Sequence, residues 1–164
     1  MGLKRQTRKA TDKTSPSIRL QLQVPAEARI LIVSDDDAIT ERLHLAFGEA
    51  GFISECAKSM TAGCEFARSG RFHVVVTVPV LSDGSWRRLV DIASHYDLAF
   101  VVVLVASTFD SNQWGEALED GAFDVLDALH ELPKAAETAK RALLAAYLKG
   151  ARPGPEVASP SKAA

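Results

Sequence analysis

Five short apolar runs, each parted from the next by a stretch with helical spacing, constrain this chain more than any other feature. They cover residues 29–33, 52–56, 72–78, 100–105 and 122–126. The first, Arg-Ile-Leu-Ile-Val, lacks the apolar–polar alternation of a half-exposed strand, so both its faces need cover. The third is dominated by β-branched residues, and the fourth is the most apolar, which predicts a central place in a sheet. After the first run, Ser34-Asp35-Asp36-Asp37 leads into a helix whose acidic start suits the helix dipole. Ile39, Leu43, Ala46 and Phe47 share one face of that helix, and Gly51 stops it. A second helix over 59–69 turns Met60, Gly63, Cys64 and Ala67 inward. Asp83-Gly84 turns into a third with Leu89, Val90 and Ala93, and Gly121 ends a fourth (110–120) in a left-handed cap. Pro133 stands in the first turn of a last helix, with Ala136, Ala139, Ala142, Leu143, Ala146 and Tyr147 as its buried stripe. Five strands alternating with five helices predict an α/β domain, a doubly wound five-stranded parallel sheet. Such sheets work at the C-terminal ends of their strands, here just after Val33, Val78, Val105 and Leu126.

The predicted domain covers residues 28–148. Residues 1–27 lack a sustained apolar period and contain Thr14-Ser15-Pro16-Ser17, as a flexible basic leader would; residues 149–164, rich in Gly, Pro, Ala and Ser, read as a flexible tail. Six basic residues against two acidic give the leader +4, and the tail carries +2. With a net charge of −2 overall, the body is therefore at −8. An acidic body argues against a nucleic-acid reader, which needs a basic surface. No apolar run approaches the ~20 residues of a membrane helix, and no secretory signal is expected. Two cysteines in 164 residues make no disulfide framework, which favours a reducing, cytoplasmic setting. Cys56 and Cys64 read as small buried hydrophobes. His44, His73, His95 and His130 lack metal-ligand spacing, and His130 reads as a surface-loop residue. Trp114, three and four residues before Ala117 and Leu118, reads as core. There is no Gly-rich phosphate loop, GxSxG elbow or Cys-x-x-Cys.

Three segments, ILIVSDDDAITERLHLAFGEAGF (30–52), FHVVVTVPVLSDG (72–84) and ALEDGAFDVL (117–126), resemble the receiver domains of bacterial two-component response regulators, the CheY-like family. The resemblance spans residues 28–148 and implies the flavodoxin-like, CheY-like fold. It also implies a phosphorelay role. Receivers carry paired acids after strand one and a phosphoacceptor aspartate at the end of strand three. A Thr or Ser ends strand four, and a Lys-Pro pair follows strand five. An aspartyl nucleophile and a magnesium ion do the chemistry.

Carried onto this chain, most of that set is missing. The first acid is Ser34, while Asp35 and Asp36 persist. The acceptor falls on Val78, the hydroxyl on Ala106 (Ser107 follows), the Lys-Pro pair on Ala128-Leu129, and the aromatic that moves on activation on Val125. The losses fit one another. Removing the carboxylate alone would leave a partly buried, unpaired ammonium at a cost of several kcal/mol, and here both charges are gone. Asp35 and Asp36 make a poor cage for a hard cation, so no cofactor is expected beyond weak magnesium binding there; their plainer role is to start the first helix. Trp86, beside the emptied pocket, reads as packing over it, with a partner anchor as the other option.

The resemblance thus implies a pseudo-receiver that is not an enzyme and that acts through a protein partner, a sensor kinase or regulator, or as a homodimer. The family's output face would carry Glu116, Glu119, Asp120, Asp124, Val125, Lys140 and Arg141. Two alternatives stand beside it. One is a small-molecule binder or enzyme using Asp35, Asp36 and Ser107 in the strand-end crevice; the other is a receiver phosphorylated at a displaced carboxylate, of which Asp83 is nearest in sequence.

Overall fold

A computed structural model describes residues 28–151, so the expected leader (1–27) and all of the expected tail beyond 151 lie outside the described residues. The main sheet is β1 (Arg29–Val33), β2 (Ile53–Ala57), β3 (Val74–Thr77), β4 (Val101–Ala106) and β5 (Ala122–Asp127), all parallel, in the order β2-β1-β3-β4-β5. The helices are α1 (Asp37–Glu49), α2 (Met60–Arg68), α3 (Arg87–His95), α4 (Ser111–Glu119) and α5 (Ala135–Ala151). Each of the five predicted strands and helices is present, with ends shifted by a few residues. Among the described residues no helix is long and apolar enough to cross a membrane.

The strands' period-two geometry sorts the core into two layers. Ile30 and Ile32 of β1 face Leu43 and Phe47 of α1 and Ala139, Ala142 and Leu143 of α5. Leu31 and Val33 face the other way, among Met60, Cys64 and Ala67 of α2, Leu89 and Ala93 of α3 and Ala117 of α4. Because both faces are covered, the inner strands have no polar side and read as unbroken apolar runs. Gly63 lets α2 sit close on β1: a Cβ there would lie 2.8 Å from Val33 Cγ2. Gly121, at φ +116°, makes the left-handed exit from α4 into β5.

Several expectations need correction. The central strand is β3, all four of its residues buried; β4 is inner but one place off centre. Apolarity reports cover on both faces, which any inner strand has, and does not rank inner strands. Pro133 lies in a 3-10 turn (Leu132–Lys134) ahead of α5. Tyr147 is 40% exposed and meets His73 edge-on instead of joining the core, while Ala135 is buried in the stripe. The helix runs on through Lys149 and Gly150 to Ala151, past the expected boundary at 148; Lys149 Nζ donates to the Phe100 carbonyl at 3.2 Å. A small antiparallel hairpin, Val80–Leu81 with Gly84–Ser85, precedes α3 and was not expected beyond its Asp83-Gly84 turn.

Candidate functional site

The expected site is the rim where the five parallel strands end. At the tip of β1, Ser34 is buried; its N–H donates to the Ala57 carbonyl (3.0 Å) and its Oγ accepts the Asp36 N–H (3.0 Å). Asp36 is the N-cap of α1, with Oδ1 accepting the N–H groups of Ala38 and Ile39 at 2.9 and 3.1 Å. Asp35 is exposed and makes no side-chain hydrogen bond or ion pair among the described residues. One residue past β3, the Val78 N–H donates to the Val33 carbonyl at 3.0 Å, which sets Val78 level with Ser34. Its half-buried isopropyl group packs on the α2–α3–α4 layer. The hydroxyl of buried Thr77, the residue before it, is turned back onto the Val78 carbonyl at 2.8 Å.

Ala106 ends β4, and the Ala128 N–H donates to its carbonyl at 2.9 Å; both methyl groups are buried, Ala128 in the α1–α5 layer. Ser107 is exposed. The rim therefore holds every expected residue, but not around one centre: Val78 and Ala128 have been drawn into opposite layers of the core.

The remaining carboxylates at this end serve the backbone. Asp83, in the hairpin turn, accepts the Met60 and Thr61 N–H groups, both at 2.8 Å, and so caps α2 from 22 and 23 residues away. Those two backbone hydrogen bonds, Thr61's first, hold its carboxyl at about 2, below the ordinary 3.8. Asp110 caps α4 in a reciprocal box with Gln113. Asp127, the last residue of β5, accepts from His130 Nδ1 and the Leu129 N–H, each at 2.9 Å, and the His130 hydrogen bond is the main reason its carboxyl is held low. Asp127 is absent from the residues expected at the rim, although it has a local signal, a carboxylate closing the fifth strand with a histidine three residues on.

Between the tips of β4 and β5 and the start of α4 lies an open cleft of about 290 Å³. Ser107, Phe109, Trp114, Asp127 and Glu131 line it, whereas Asp35 and Asp36 do not. Trp114 is 46% exposed, which corrects its expected place in the core: only Ala117 of α4 is buried. Trp86 does pack, 2% exposed, with the Arg87 guanidinium 4.9 Å above its ring. Arg87 also grips Asp120 at 2.6 Å.

On the expected output face Glu116 and Glu119 are exposed, Arg141 pairs with Asp124 (3.4 Å), and Lys140 lies 4.0 Å from Glu137. Val125 is buried and leaves that face, because its side chain points into the α2–α3–α4 layer. Leu118, 40% exposed, joins Trp114 on α4. Cys64 is buried, which pushes its thiol up; Cys56 is only half-buried, against expectation. His44 meets the Ser54 hydroxyl, and no group of three or more His, Cys, Asp or Glu among the described residues could hold a metal ion.

The sequence matches no protein-family model and no curated protein. Solved structures do match in shape. A signal receiver domain from Vibrio parahaemolyticus superposes with a TM-score of 0.69 at 14% identity, over 76% of this chain and 95% of that one. A CheY-like response regulator receiver domain from Methanospirillum hungatei gives 0.65 at 21% identity, over 74% and 97%. The beryllofluoride-activated NtrC4 receiver domain, solved as a dimer, gives 0.65 at 22% identity, over 72% and 98%. Residues 28–151 thus have the fold of response-regulator receiver domains, a five-stranded CheY-like sheet with its helices on both faces.

Proposed function

We propose that the protein is a receiver-like signalling module that acts by protein contact and does not carry a phosphoryl group. One observation carries this reading. The positions matched to a receiver's nucleophile and lysine hold Val78, half-buried against one core layer, and Ala128, buried in the other, while Asp36, Asp83, Asp110 and Asp127 are each bound to backbone N–H groups. Phosphoryl transfer to a protein needs an uncommitted nucleophile and a cation to neutralise the charge that develops. Val78 offers no oxygen and Asp36 is committed to two amides, which leaves Asp35 as the one free carboxylate at the β1 tip. That donor set does not fit a magnesium ion, which takes near-octahedral oxygen ligands. The surface offered to a partner is α4 with its flank, where Trp114 and Leu118 stand out among Glu116 and Glu119. Exposed aromatics ringed by charge are what protein interfaces use as anchors. The partner is a sensor kinase, a regulator or a second copy of the chain.

The test is to incubate the full chain with acetyl phosphate and magnesium and then measure its intact mass. No change is expected. A gain of one phosphoryl group would overturn the reading, and peptide mapping would then show whether Asp83 or Asp35 carries it. The β4–β5 cleft favours the small-molecule alternative in one respect, since its size approaches that of a ligand pocket (~300 Å³). Of the three residues first assigned to that role, however, it gathers only Ser107.

A further inference from the structure

A larger cleft, about 470 Å³, opens at the opposite end of the sheet, where β4 and β5 begin. Its walls are mostly apolar, with Val90 and Ala93 of α3, Leu98 and Val101 on the way into β4, and Phe123 of β5. Water in such a cleft gains few hydrogen bonds, and apolar wall left uncovered forgoes the gain from burial. The chain enters the fold at this same end: Ala28 stands at the foot of β1, its carbonyl accepting the Ile53 N–H. Immediately upstream, residues 18–24 read Ile-Arg-Leu-Gln-Leu-Gln-Val. This is strict alternation, with Ile18, Leu20, Leu22 and Val24 on one side of an extended strand and Arg19, Gln21 and Gln23 on the other. The pattern is too short to register as a sustained period in a leader whose overall composition is polar and basic.

Reach agrees with this pattern. β4 is two strands from β1, roughly 10 Å at ~4.8 Å per strand, and residues 25–27 can span ~10 Å when extended. The cleft rim carries one acid and one base, Asp97 and Lys149, so its apolar wall and not its charge is what an alternating segment would meet. We infer that residues 18–24 of this chain dock across the cleft at the foot of β4 and β5, with Leu20 and Leu22 covering Leu98 and Phe123.

Two experiments on the full chain decide this. In hydroxyl-radical footprinting, Leu20→Glu with Leu22→Glu is expected to raise labelling of Leu98 and Phe123 several-fold. Gln21→Glu with Gln23→Glu, the same charge change on the other side of the strand, should leave them unchanged, with Trp114 constant throughout. Equal labelling in the two double variants, or no rise in the first, overturns the inference. The second experiment pairs Leu22→Cys with Ser94→Cys in a Cys56→Ser, Cys64→Ala background under dilute oxidising conditions. A disulfide within one chain is expected. A disulfide-linked dimer would assign the cleft to the leader of a second copy, and no disulfide would leave it without this occupant; either overturns the inference. Neither readout depends on whether the strand-end rim accepts phosphate.

Discussion

The two tryptophans mark two halves of one rim. On the β1–β3 side Trp86 is 2% exposed, Val78 lies on the core below, and Gly63 brings α2 to within a methyl group's reach of β1. On the β4–β5 side Trp114 stands 46% exposed over an open cleft, on a helix that buries little beyond Ala117. The first half is largely filled by side chains, and the second holds an open, partly aromatic surface. The contrast teaches that the strand ends of one sheet need not share a fate: apolar side chains of the right volume fill one side to close packing, while the other stays open. Open surface on this rim therefore lies on its β4–β5 side.

Four substitutions can break or sharpen this contrast. Trp86→Ala should cost about 3–5 kcal/mol, read as a lowered urea midpoint at unchanged slope, because it empties the largest fully buried side chain. A cost near zero would mean that the β3 side is not packed as described. Gly63→Ala comes next, at ~1–3 kcal/mol, since its new methyl meets Val33 and the strand beneath cannot yield.

Asp83→Asn is smaller and depends on pH. The carboxyl of Asp83 is held at about 2 in the folded chain against 3.8 unfolded, so its contribution is fully present above about pH 4. It is lost as pH falls from there through 2. The variant should melt below the parent at pH 7, and the two melting curves should converge toward pH 2. A gap that stayed constant with pH would sever the link between hairpin and α2. Trp114→Ala is expected to stay within about 0.5 kcal/mol of the parent in stability while weakening partner or self-association, which sedimentation of the full chain can follow.

Sequence reasoning succeeded where the determinant is local. The β-branched runs, the Asp36 start of α1, the inward face Met60-Gly63-Cys64-Ala67 and the Gly121 cap each depend on residues within one or two turns. It failed where burial depends on how closely a helix approaches the sheet. Trp114 and Tyr147 both sit at core spacing on amphipathic helices, yet α4 and the end of α5 leave them at the edge. Val125 failed in the opposite direction, an expected surface residue that strand alternation turns inward. The apolar character of Val78 and Ala128 was legible because it is a matter of residue type alone. The roles of the surviving acids were not, since nothing local to Asp83 points to amides 22 and 23 residues away.

Side-chain period and turn chemistry by themselves determined that this chain forms a parallel α/β sheet and that the residues just past β3 and β5, Val78 and Ala128, are apolar. Those are properties of each segment taken alone, since covering both faces of a strand demands apolar residues wherever the strand ends up. Tertiary structure alone decided which carboxylates are free and which are bound, which tryptophan is buried, and where open surface remains. Such outcomes turn on distances between segments remote in sequence, and a few ångströms in helix placement separate a filled core from a cleft.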